Sequence, residues 1–188
     1  MAIRIYIDQG HNPDPPNTGA VGNGLREQDV TYQVGRELAA LLRANGNFDV
    51  RLSRPTQDTQ IGNSNASSLA TRVSEANGWG ADYFISIHTN AAENPQANGS
   101  EQLVYRTAGT AYRLAEEIGK SLSETTGLRN RGVIARPGLY VLRRTAMPAV
   151  LSEIGFITNP EEAALMRDNP GLFAEGIYRG ILAFLGLS

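Results

Sequence analysis

The 188-residue chain has no cysteine and only two histidines. The missing cysteine excludes disulfides, thiol nucleophiles and thiolate metal sites together. It leaves the redox compartment open, because a cysteine-free chain works in oxidising and reducing surroundings alike. Nor is there a surplus of basic residues. Seventeen Lys and Arg stand against nineteen Asp and Glu, for a net charge of −2, where a nucleic-acid binder would carry a positive excess. No apolar run approaches the roughly 20 residues of a membrane span. The opening stretch, Met1 to Asp8, is patterned as a strand and not as a charged segment followed by an apolar one, so no signal peptide is visible. Internal repeats, low-complexity tracts and interdomain linkers are also missing, and one domain over residues 1–188 is expected.

What is present is an alternation of strand-like and helix-like runs. Ile3–Asp8 reads as a first buried strand and is followed by a long polar loop, Gln9 to Arg26. Gln28–Asn45 carries Val30, Val34, Leu38, Leu41 and Leu42 on one helical face, with Gly46 as the stop. A strand at Phe48–Ser53, a weaker helix at Ser64–Asn77 and a strongly apolar strand at Asp82–His88 come next. A polar loop from Thr89 to Gly99, a strand at Gln102–Tyr105 and a helix at Ala111–Thr125 follow, then strands at Leu139–Arg143 and Ala149–Phe156. Asn159-Pro160-Glu161-Glu162 combines a cap, a first-turn proline and acids at the positive end of a helix dipole. The final helix carries Phe173, Ile177, Ile181 and Leu185. The pattern predicts an α/β domain: a mostly parallel twisted sheet of about six strands with helices on both faces.

The two histidines both close strand-like runs, His11 after the first strand and His88 at the end of Asp82–His88. Ligands of open α/β sheets bind outside the carboxyl ends of the strands, so both imidazoles are expected at one edge. Either could be a satisfied structural histidine; together they suggest a metal. A catalytic zinc needs a third protein ligand and one open position. Glu27, which ends the loop begun at His11, is the best candidate, although an acid there also suits a helix start. Glu153 interrupts an otherwise apolar strand. A buried carboxylate needs a partner, a metal or a catalytic task, and the competing structural partner is Arg143 in the adjacent predicted strand. The arginines from Arg129 to Arg144 are either solvated surface or a rim that attracts an anionic polymer.

The motifs, taken in order, give the chain a resemblance to a known family. They are Ile7-Asp8-Gln9-Gly10-His11, Glu27-Gln28-Asp29-Val30, Leu52-Ser53-Arg54, Ala81 to Ala91, Gly99-Ser100-Glu101, Arg131-Gly132-Val133, Leu139 to Arg143 and Met147 to Phe156. The chain resembles the catalytic domain of zinc-dependent N-acetylmuramoyl-L-alanine amidases, amidase type 3. The resemblance implies zinc on His11, Glu27 and His88, with Glu153 as the catalytic glutamate. It implies hydrolysis of the amide between N-acetylmuramic acid and L-alanine in peptidoglycan, a bacterial wall substrate met outside the cytoplasm or during lysis. Asp8 is expected to support a ligand imidazole, Asn90 to contact substrate, and Arg143 to lie close by.

Two departures from the family pattern stand out. Asn12 and Pro13 occupy positions where the family usually has glycines. Some relatives carry an autoinhibitory helical insertion after the strand that follows the second histidine; here only Arg106 to Thr110 lie there. An open groove lined by the Gln9–Arg26 and Thr89–Gly99 loops is therefore expected, in a monomer that needs no activator. The competing functions are a zinc peptidase with the same ligands, a wall-binding module without catalysis, and a two-carboxylate glycosidase using Glu27 and Glu153. The last leaves both histidines without a purpose.

Overall fold

The structure, a computed structural model, describes residues 2–187. Six strands form the main sheet: β1 (Ile3–Gln9), β4 (Phe48–Leu52), β5 (Tyr83–Asn90), β6 (Ser100–Val104), β7 (Asn130–Ala135) and β8 (Ala149–Phe156). Their order is β4-β1-β5-β8-β6-β7. β4, β1, β5 and β8 run parallel, β6 is antiparallel to β8, and β7 is parallel to β6. This is the mostly parallel α/β sheet that the alternating pattern predicts.

Side chains alternate between the two faces of each strand, and the core divides accordingly. Ile5, Ile7, Ile85, Ile87, Val150 and Ile154 pack on one face with α1 (Glu27–Asn45), α3 (Gly109–Thr126) and α6 (Pro170–Leu185). Tyr6, Phe84, Leu103 and Leu151 pack on the other with α2 (Asn65–Trp79) and the short α4 (Tyr140–Arg144). A further helix, α5 (Pro160–Asp168), is capped by Asn159, whose side chain accepts from the amides of Glu161 and Glu162. Pro170 lacks an N–H and opens α6. Among the described residues, no helix is long and apolar enough to cross a membrane.

Three elements differ from the expectation. Leu139–Arg143 is not a strand: the segment folds as helix α4. β8 already has β5 on one side and β6 on the other, so no edge is left for it, and a helix lets the adjacent Val141 and Leu142 both be buried. The missing sixth strand is β7, polar and half-exposed because it is an edge strand. The 9–26 loop also holds a small hairpin, β2 (Val21–Gly22) and β3 (Leu25–Arg26). It turns at Asn23 and Gly24, both at positive φ (49° and 78°).

Candidate metal centre

The face of the sheet that carries Tyr6, Phe84 and Leu151 becomes polar toward the carboxyl ends of β1, β5 and β8. Asp8, Ser86, His88 and Glu153 follow those residues at strand spacing, and Asp8 is level with Ser86, His88 with Glu153. β6 runs the other way and places Glu101 level with Glu153. One row across three strands therefore reads His88, Glu153, Glu101.

Glu27 enters from the first turn of α1 and is 4% exposed. Its Oε1 lies 3.2 Å from His11 Nε2 and 3.0 Å from His88 Nδ1, and accepts the Thr89 amide at 3.0 Å. Its Oε2 accepts the Ala20 amide at 2.9 Å. The candidate ligand atoms of His11, Glu27 and His88 all fall within 4.8 Å of one another. The imidazoles meet edge to face, with centroids 4.8 Å apart, and each side chain keeps about a fifth of its surface open (20% and 19%). Burial opposes ionisation of Glu27, but the hydrogen bonds and charges of His11 and His88 outweigh it and hold the carboxyl well below its usual range. Burial likewise opposes protonation of His88, and Glu27 outweighs it, raising the imidazole pKa.

Two glycines let these side chains approach one another. A Cβ on Gly10 would lie 2.5 Å from His88 Cε1 and 2.6 Å from the Ile87 carbonyl oxygen. A Cβ on Gly19 would lie 2.7 Å from Glu27 Oε2 and 2.8 Å from His11 Cδ2. His11 itself adopts a left-handed conformation, φ 68°, which costs a non-glycine residue roughly 1 kcal/mol.

Among the described residues, Glu153 has no salt-bridge partner. Its Oε2 is buried without a hydrogen bond from the protein, as is His11 Nδ1. Burial pushes the Glu153 carboxyl up to about 7; nearby Glu27 and Glu101 add to the rise and His88 opposes it. Burial, helped by two neighbouring carboxylates and opposed by one imidazole, thus leaves Glu153 poised near neutrality, the range that suits a general base.

The remaining sequence candidates are placed differently. Asp8 makes no hydrogen bond to an imidazole, although its charge favours protonation of His88. Its carboxylate accepts from Arg72 Nη1 at 2.5 Å and Ser86 Oγ at 2.7 Å, because Ser86, and not His88, is its register partner on β5. Asn90 donates to Glu101 Oε1 at 2.9 Å and accepts the Ala91 amide at 2.9 Å. Arg143 is exposed on α4 and lines a cleft with Tyr105, Arg106 and Ala149. Ala149 begins β8 and Glu153 lies four residues on, about 13 Å along a strand. Arg143 is therefore neither the structural partner of Glu153 nor a neighbour of the cluster. Arg72 and Glu101 were not among the sequence candidates. Glu101 also accepts from Arg131 Nε at 3.1 Å.

The fold and the cluster define an α/β domain whose sheet edge carries two histidines and a carboxylate in the ligand set of catalytic zinc sites. The chain belongs to the Amidase_3 family, N-acetylmuramoyl-L-alanine amidase, whose family model matches residues 5–183. It is 39% identical over 184 residues to the N-acetylmuramoyl-L-alanine amidase CwlM of Bacillus licheniformis, covering 95% of this chain and 65% of that protein. It is 39% identical over 165 residues to the amidase LytC of Bacillus subtilis, covering 87% of this chain and 31% of LytC. The chain thus spans less than two thirds of these relatives. Among solved structures, the N-acetylmuramoyl-L-alanine amidase of Clostridium difficile 630 superposes with a TM-score of 0.87 at 31% identity, covering 98% of this chain and 97% of that one. The catalytic domain of CwlV from Bacillus (Paenibacillus) polymyxa gives 0.85 at 31% identity, covering 99% of each.

Proposed function

We propose that this domain hydrolyses the amide between the lactyl group of N-acetylmuramic acid and L-alanine in peptidoglycan, with one zinc held by His11, Glu27 and His88. The observation that carries the reading is the convergence of these three ligand atoms within 4.8 Å beside the unpaired carboxylate of Glu153. The donor set fits the metal: two imidazoles and a carboxylate on one side, with the partly exposed histidine edges facing solvent. Family membership supplies the substrate class.

Bound zinc would lower the pKa of a water in its open position and polarise the scissile carbonyl. Glu153, next to His88 on the same face, takes the proton from the attacking water. It then passes that proton to the departing alanine nitrogen. Glu27, buried and hydrogen-bonded to the Thr89 and Ala20 amides, stays ionised and keeps both imidazoles turned inward. Asn90 and Arg131 hold Glu101 beside Glu153, and its negative charge keeps the base strong.

The site acts on a wall polymer outside the cytoplasm or during lysis, as a monomer without an activating partner. The test is digestion of purified peptidoglycan by the purified chain with added zinc. New N-terminal alanine on freed peptides, abolished by a chelator, supports the reading. Cleavage within the stem peptide would identify a peptidase instead, and new reducing sugar ends a glycosidase.

A further inference from the structure

We propose that Arg72 is a positioning residue for the metal centre, fixing the backbone turn that aims His11 at Glu27. This rests on the metal reading above. Arg72 lies on α2 and is 1% exposed, and its guanidinium is spent almost entirely on the segment from Asp8 to Asn12. Nη1 donates to Asp8 Oδ1 (2.5 Å), the Gln9 carbonyl oxygen (2.7 Å) and Ser53 Oγ (3.2 Å). Nη2 donates to the His11 carbonyl oxygen (2.6 Å) and Asn12 Oδ1 (3.2 Å). Nε faces Ser68 Oγ at 3.4 Å.

The carbonyl between those of Gln9 and His11 is held as well, since Thr31 Oγ1 donates to the Gly10 oxygen at 2.8 Å. Three successive carbonyls are thus captured by side chains from two different helices. The captured stretch contains both the left-handed residue His11 and Gly10, which packs against the His88 ring. A left-handed histidine persists only where its surroundings over-determine it; here Arg72 makes the shortest side-chain bond to the His11 carbonyl oxygen, which Arg54 Nη1 also approaches at 3.5 Å, while Ile61 and Asn17 fix Asn12 beyond it. Asp8 neutralises the Arg72 guanidinium and orients it, and Ser86 Oγ holds Asp8 from the other side.

A merely structural arginine would contribute to stability alone; a positioning one also sets metal affinity and geometry. The experiment compares Arg72→Lys with Val73→Ala, which opens a cavity in the neighbouring core from the next residue of the same helix. Zinc affinity is measured by competition with a chromophoric chelator, ligand geometry from the visible bands of the cobalt-substituted protein, and stability by thermal unfolding. Lysine keeps a charge opposite Asp8 but cannot reach Gln9, His11 and Asn12 together. Arg72→Lys is expected to weaken zinc roughly 10–100-fold and to shift the cobalt bands. Val73→Ala is expected to lower the melting temperature with wild-type zinc affinity and bands. If Arg72→Lys does not fold, the double variant Asp8→Asn/Arg72→Gln, which leaves no unpaired buried charge, carries the same expectation. Wild-type affinity and bands in either folded Arg72 variant would overturn the proposal, as would an equal loss of zinc in Val73→Ala. Absence of zinc binding by the wild type would instead remove the metal reading itself.

Discussion

Glu153 and His88 are register partners on adjacent parallel strands, so their side chains leave the same face of the sheet side by side. That relationship separates the two tasks of the site. His88 turns Nδ1 toward Glu27, while Glu153 is left with an unpaired oxygen. Glu153→Gln should keep the fold and the zinc and lose roughly two to four orders of magnitude in rate. Metal analysis and turnover on the same preparation check this. Loss of zinc in that variant would make Glu153 a ligand.

The same residue has a cost in the metal-free protein. Its folded pKa, about 7, lies above the ordinary glutamate value of 4.5, so the folded state binds more protons than the unfolded state between those values. Stability therefore falls as pH rises through that window, and the penalty is complete above about pH 7. Metal-free Glu153→Gln should be more stable than the wild type at pH 8, by about 3 kcal/mol. The gap should close as pH falls toward 4.5. Denaturant melts at several pH values check this, and a variant less stable than wild type at pH 8 would give Glu153 a structural partner.

Gly10→Ala tests the close approach at the second ligand. The new Cβ would meet both the His88 ring and the Ile87 carbonyl oxygen within 2.6 Å, and the backbone atom cannot swing away. The ring must move, and zinc should bind about tenfold or more weakly. Gly24→Ala is the contrasting case: φ is +78° but nothing lies within 4 Å. It should cost about 1 kcal/mol of stability and leave zinc affinity unchanged. Equal zinc affinity in the two variants would contradict the packing argument.

Much of this was legible in the sequence because strands buried on both faces read as short, nearly continuous apolar runs. Ile3–Asp8, Asp82–His88 and Ala149–Phe156 are apolar on both faces, as strands covered by helices must be, so residues at their ends could be placed at one edge. β7 was not legible: an edge strand beginning Asn130-Arg131-Gly132 has little to bury. Leu139–Arg143 looked like a strand because five residues are too few to tell period 2 from period 3.6. The hairpin at Val21–Gly22 and Leu25–Arg26 was read only as loop, although Asn23-Gly24, a favoured two-residue turn, marks it. Arg72 gave no signal, since an arginine on a weakly amphipathic helix reads as surface. Asp8 reads in the sequence as a support for an imidazole; its pairing with Arg72 of α2 depends on a contact 64 residues apart in the chain, which no local pattern announces.

Access follows from the link between β6 and α3. The structure narrows it to residues 105–108, since α3 begins at Gly109. Four residues make barely one helical turn and cannot reach across the site and return. The purified chain loaded with zinc should therefore cleave peptidoglycan with no second protein. A folded, zinc-loaded chain that stays inactive on several wall types until a partner is added would contradict this.

One zinc on His11, Glu27 and His88 is proposed to drive amide hydrolysis. The most direct test is the release of N-terminal alanine from purified peptidoglycan as zinc is titrated into the metal-free chain. The rate should rise in proportion to bound metal and level off at one zinc per chain, with His11→Ala and His88→Ala holding little metal and releasing little alanine. Full release of alanine by the metal-free chain, or by either histidine variant, would contradict it.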